Sequence, residues 1–162
     1  MTNQQSAMHQ QTIEPVSLED LPAIAWAMVR ELPARLAIGL VGTLGAGKTT
    51  MVQAIAAAAG IDVADVTSPT FTLLRSHQGS TLRLHHLDAY RLADEDEFYE
   101  LGVEELFDEQ AWTVVEWADR VRQEMPQDTL WIEIQLTDAP ESRRLSFRTG
   151  CPQIAMALSR LA

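Results

Sequence analysis

The sequence predicts a three-layer α/β sandwich with a mixed, mainly parallel central sheet, and three observations predict it. A short apolar run, "RLAIGLVG", leads through a glycine-rich loop directly into the alanine-rich helical run "TTMVQAIAAAAG". Further apolar runs of strand length alternate with helical ones along the rest of the chain. The one lysine among 162 residues, Lys48, stands inside that glycine-rich loop, while eleven arginines carry the other fixed positive charges.

Each element has its own signal. Ser17 is an N-cap with acids in the following turn, and "SLEDLPAIAWAMVREL" repeats its apolar positions at helical spacing until Pro33 stops it. "RLAIGLVG" is a buried strand and the helix after it ends at Gly60. Strands are expected in "TSPTFTLLRS", "TLRLHHLDAY", "AWTVVEW", "TLWIEIQL" and "RRLSFRTG", with a last helix after Pro152. Gly79-Ser80 reads as a hairpin turn, which brings antiparallel pairing into the sheet. Residues 1–11 are expected to be a disordered tail and 12–162 a single domain.

Composition narrows the function. A chain of this length buries roughly 70% of its unfolded surface, so it can build a full core without staples. Its 46% hydrophobic content contains no membrane-length run, its start lacks the order of a secretory signal, and its single cysteine, Cys151, cannot form an internal bridge. A cytoplasmic protein is expected. The formal net charge of −11 opposes strong direct binding to nucleic acid. Nine of the 23 acidic residues fall in "DEDEFYELGVEELFDE", residues 94–109, and no basic residue occurs between Arg91 and Arg120. That segment reads as a solvated helix pair packed through Phe98, Leu101, Leu106 and Phe107, with a partner-docking surface as the alternative.

The loop carries the chemistry. Gly42 to Thr49 match G-x-x-x-x-G-K-[ST] between a strand and a helix, the phosphate loop of P-loop NTPases. Glycines let backbone N–H groups turn around phosphate oxygens, the helix N-terminus adds its positive end, Lys48 supplies a charge near the β- and γ-phosphates, and Thr49 is a Mg²⁺ ligand. The nucleotide-binding set is therefore Thr43, Leu44, Gly45, Ala46, Gly47, Lys48, Thr49 and Thr50. The glycine spacing is not that of the dinucleotide fingerprint, and the chain has no N/T-K-x-D element for guanine, so ATP is the expected nucleotide. The second carboxylate such a site needs is Asp88 or Glu116, each ending a strand-like run, with Glu116 favoured for the metal by its cleaner apolar strand. Ser68 and Thr70 flank Pro69 in a switch-like turn, and Trp117 is either core or close to the nucleotide. His85 and His86 are adjacent on a strand, face opposite sides, and are expected in core or turn contacts.

"GTLGAGKTT", "SPTFTL", "HHLDAYRL" and "VEWADR", in this order and at these separations, resemble the TsaE (YjeE) family over about residues 17–150. The resemblance implies an ATPase of threonylcarbamoyladenosine synthesis in bacterial tRNA, with ATP and Mg²⁺, weak hydrolysis, and assembly with TsaB and TsaD. It gives catalytic roles to Lys48, Asp88 and Glu116 and a switch role to Ser68–Thr70; it does not say which acid holds Mg²⁺ and which orients water. Thr43 departs from the family, which usually has an acid there. A small-molecule kinase and a nucleotide-gated interaction module are the other readings. The kinase is disfavoured because the acidic, arginine-free segment lies where an arginine-bearing lid would be expected.

Overall fold

The computed structural model describes residues 7–67, 69 and 73–161. Seven strands form one sheet in the order β1-β7-β6-β2-β5-β4-β3. These are β1 (His9–Val16), β2 (Leu36–Val41), β3 (Leu74–Gln78), β4 (Arg83–Asp88), β5 (Trp112–Glu116), β6 (Leu130–Leu136) and β7 (Arg143–Thr149). The four central strands, β6-β2-β5-β4, run parallel, and β3, β7 and β1 add antiparallel pairings at the two sides. The sheet is therefore mixed, with its parallel part in the middle.

Helices cover both faces. On one face α1 (Leu21–Glu31), α2 (Lys48–Ala58) and α5 (Pro152–Leu158) pack on Ile38, Leu40, Val114 and Ile132. On the other, α3 (Glu95–Glu100), α4 (Val103–Asp108) and a 3-10 segment, Ala118–Glu124, pack Phe98, Phe107 and Val121 against Ala37, Leu87 and Val115. Strand alternation produces this division, since neighbouring residues of β2 point to opposite layers. Gly39 faces the second layer, where an added Cβ would lie 2.8 Å from the Trp131 ring and 3.1 Å from Ala118. The indole occupies the space a side chain would need.

The acidic segment is the expected helix pair. Phe98 and Phe107 are buried, Leu101 and Leu106 partly so, and seven of its nine acids are exposed. Asp94 caps α3 by accepting from the Glu97 N–H at 2.9 Å. At the start of α1, Ser17 donates from its backbone N and from Oγ to Asp20, at 2.7 and 2.8 Å, across one turn of 3-10 helix.

The start of the chain differs from expectation. His9, Gln10 and Gln11 belong to β1 and pair with Thr149, Arg148 and Phe147. "HQQTIEPV" is mostly polar, so hydropathy gives no strand signal; an edge strand is held by its backbone ladder and needs little apolar burial. In "TSPTFTLLRS" the strand begins only at Leu74, and residues 68 and 70–72 lie outside the described set. Among the described residues no helix is long and apolar enough to cross a membrane.

Candidate functional site

β2 ends at Val41, and the chain turns through Gly42–Gly47 into α2, whose first residues are Lys48 and Thr49. Gly47 caps that helix with φ 117°, a left-handed conformation that side chains rarely adopt. A Cβ there would also meet Leu18 at 2.9 Å. The backbone conformation is what requires glycine here, because the Leu18 methyl is the end of a flexible, exposed side chain that can give way.

Asp88 and Glu116 end β4 and β5 and are register partners in neighbouring parallel strands. Their side chains share the face that carries α2. The carboxyl ends of the parallel strands and the N-terminus of α2 thus converge on one cleft of 380 Å³, bordered by Gly45, Gly47, Lys48, Thr49, Thr50, Asp88, Glu116 and Trp117. Outside the carboxyl ends of strands is where open α/β sheets bind ligands.

Lys48 is buried, and its ammonium donates to the carbonyls of Gly42 at 2.7 Å and Thr43 at 2.9 Å. The ring of Trp117 lies beneath it, 3.8 Å from Nζ to the ring centroid. Burial holds the Lys48 pKa below the ordinary lysine value, and the carboxylates of Glu116, Asp119 and Asp88 act against that shift. Thr49 Oγ1 donates to Glu116, 2.9 Å from Oε1 and 3.1 Å from Oε2. Asp88 is buried and accepts from the Tyr90 N–H at 2.8 Å. Trp117 itself holds a left-handed backbone, φ 58° and ψ 37°, and packs against the Tyr90 ring with 4.8 Å between centroids.

Of the residues expected from sequence, Leu44, Gly45, Gly47, Lys48, Thr49, Thr50, Asp88, Glu116 and Trp117 border this cleft, and the others are placed differently or lie outside the described residues. Leu44 is 80% exposed at the tip of the loop, and Ala46 is fully buried beneath it. Thr43 is exposed and borders a neighbouring cleft of 680 Å³ with Asp119 and Gln135, and Trp117 borders both clefts. Ser68 and Thr70 lie outside the described residues. Pro69, between them, is buried.

Two contributors escape the motif reading. Arg143, buried on β7, donates from Nε to the Ala46 carbonyl at 2.6 Å and from Nη1 to that of Glu141 at 3.0 Å, bracing the loop from below. His86 reaches Glu116, with 2.8 Å between Nε2 and Oε1. His85, on the opposite face, meets Ser76 and Glu109 instead. Parity along the strand is the signal for both finds: His86 stands two before Asp88, and Arg143 two before the buried Leu145.

Among the described residues no group of three or more His, Cys, Asp or Glu side chains could hold a metal by itself. Mg²⁺ needs no such cage, because it takes one or two carboxylates together with phosphate oxygens and water. The hydroxyl and two carboxylates at this cleft are hard oxygen donors of the kind that ion accepts. The left-handed Gly47, the buried ammonium and the open N-terminus of an eleven-residue helix fit a polyphosphate.

Fold and site together define a P-loop NTPase-type domain. The family model described as "Threonylcarbamoyl adenosine biosynthesis protein TsaE" matches residues 16–145, and the chain belongs to the TsaE family. It is 41% identical over 108 residues to the tRNA threonylcarbamoyladenosine biosynthesis protein TsaE of Bacillus subtilis, covering 67% of this chain and 66% of that protein, just under two thirds of its length. It is 41% identical over 97 residues to the Treponema pallidum protein of the same description, covering 60% and 70%. A crystal structure of Bacillus subtilis YdiB superimposes with a TM-score of 0.79 at 29% identity, over 96% of this chain and 95% of that one.

Proposed function

We propose that this chain binds ATP with Mg²⁺, hydrolyses it slowly, and serves threonylcarbamoyladenosine modification of tRNA through TsaB- and TsaD-like partners. One observation carries the reading: Lys48 and Thr49, which open α2, share a cleft with Asp88 and Glu116, which end β4 and β5. In this reading Lys48 holds the β- and γ-phosphates, with its ammonium already aimed by two loop carbonyls. Thr49 and Glu116 hold the metal side, and Asp88 holds a water or the metal's outer shell. Bound Mg²⁺ supplies charge neutralisation as negative charge moves onto the leaving oxygens.

The surface supports action through other proteins. The exposed acids of α3 and α4 and the net charge of −11 repel a polyanion, so contact with tRNA falls to the partners. The stretch of sequence where a kinase lid would be expected, residues 92–119, is acidic and free of arginine, which weighs against transfer of phosphate to a small acceptor. Membership of the TsaE family supports both the pathway and the partners.

The test is sedimentation of the purified chain with its TsaB- and TsaD-like partners in ATP, in ADP and without nucleotide. A nucleotide shifts such an assembly only through its differential affinity for the bound and free states, so association is expected to depend on which nucleotide is present. Equal association in all three conditions overturns the partner reading. Rapid phosphorylation of a metabolite without partners establishes a kinase instead.

A further inference from the structure

Glu116 is 2% exposed, and a buried carboxylate persists only where hydrogen bonds replace its water. The last torsion of a glutamate is broad, so one contact leaves the carboxylate plane free to swing. Here contacts come from two directions. Thr49 donates from the helix side, and His86 lies 2.8 Å from Oε1 on the sheet side.

The imidazole is well defined. His86 is 0% exposed and faces Val114 across β4 and β5, one diagonal step from Glu116. Its Nδ1 is buried with no hydrogen-bond partner among the described residues. A proton on Nδ1 would be a stranded donor and would also turn the Nε2 lone pair against a carboxylate. Nε2 therefore carries a proton and donates to Glu116.

We propose that His86 is a positioning residue for Glu116. It fixes the carboxylate plane through Oε1, and Oε2, with only the longer 3.1 Å contact among the described hydrogen bonds, remains as the oxygen offered to the cleft. The hydroxyl of Thr49, the carboxylate of Glu116 and the imidazole of His86 form one chain from the helix N-terminus into the sheet. This inference rests on the ATPase reading for its consequence in turnover, although the hydrogen bond itself can be tested without nucleotide.

Three variants separate donation from packing. His86→Gln places an amide nitrogen the same number of bonds from the backbone as Nε2. His86→Leu fills the space without a donor, and His86→Asn stays polar but reaches only the Nδ1 position. Single-turnover hydrolysis at saturating Mg²⁺ is expected to fall on the order of 10–100-fold in the Leu and Asn variants, as it does when outer partners of a metal-side ligand are removed. Calorimetric ATP affinity is expected to stay within about 3-fold, and His86→Gln to recover most of the rate. Nitrogen-15 NMR of the nucleotide-free wild-type protein is expected to show His86 as the Nε2–H tautomer. Should the Leu variant fail to fold, the Asn and Gln pair makes the same comparison.

Equal rates in Gln, Asn and wild type, or an Nδ1–H tautomer, overturn the proposal. Absence of ATP binding and turnover in the wild-type protein overturns the ATPase reading instead, and the tautomer then decides the positioning bond by itself.

Discussion

The ammonium of Lys48 sits 3.8 Å from the centre of the Trp117 ring, and Trp117 holds a left-handed backbone to place the ring there. A bulky residue at φ 58° stores on the order of 1–2 kcal/mol, and such strain persists only where surrounding contacts impose it.

That strain predicts an inverted order of stability. Trp117→Ala and Trp117→Gly both lose the ring, but only glycine relaxes the backbone. In urea unfolding the Gly variant is expected to be the more stable of the two, by about 1 kcal/mol. The opposite order would contradict the left-handed conformation.

Lys48 divides stability from function. Its buried ammonium opposes folding, and Lys48→Met keeps much of the stem and sets a thioether against the indole. The Met variant is expected to match or exceed wild type in unfolding without nucleotide, while losing on the order of 1.5–3 kcal/mol of ATP affinity. The pH dependence has a definite sign. Because burial lowers the folded-state pKa of Lys48 below 10.5, its cost is complete below that folded value and diminishes as pH rises toward 10.5, where the unfolded chain also releases its proton. The gap between the variant and wild type is expected to narrow across that window in paired denaturation curves.

Asp88→Asn and Glu116→Gln retain volume and hydrogen bonding but remove negative charge. Each is expected to reduce ATP turnover more than ATP binding, since charge stabilisation at the metal side matters most in the transition state. Unchanged turnover at saturating Mg²⁺ would remove that residue from the site.

Arg143→Met retains the buried stem and leaves the Ala46 carbonyl without its 2.6 Å donor. A loss of about 2 kcal/mol in stability is expected, together with weaker ATP binding despite the side chain's place beneath the loop. Denaturation and calorimetry on the same preparation check both.

Legibility followed the range of the interactions. The glycine-rich turn from β2 into α2 could be read because its signals are local: glycines, Lys48 and Thr49 within eight consecutive residues. The central strands could be read because burial on both sides makes them nearly continuous apolar runs, as in "LAIGLV" and "WTVVE". Phe98 and Phe107 showed the acidic segment as a helix pair for a different local reason, apolar side chains recurring among acids that stay in solvent. β1 could not be read, since a polar edge strand is specified by the partner it pairs with. His86 and Arg143 were partly legible by parity, but their targets lie 30 and 97 residues away, and pairing of that range is set by the order of strands in the sheet.

Val16, the last residue of β1, pairs with Arg143, whose guanidinium grips the carbonyl of Ala46. The outermost strand and the glycine-rich loop therefore meet at one residue, the strand through the backbone of Arg143 and the loop through its side chain. Peeling the edge strand away would loosen the loop without touching it. A protease cut between His9 and Val16 is thus a sharper probe of the loop's integrity than one in the acidic helices, although both segments present exposed residues to solvent.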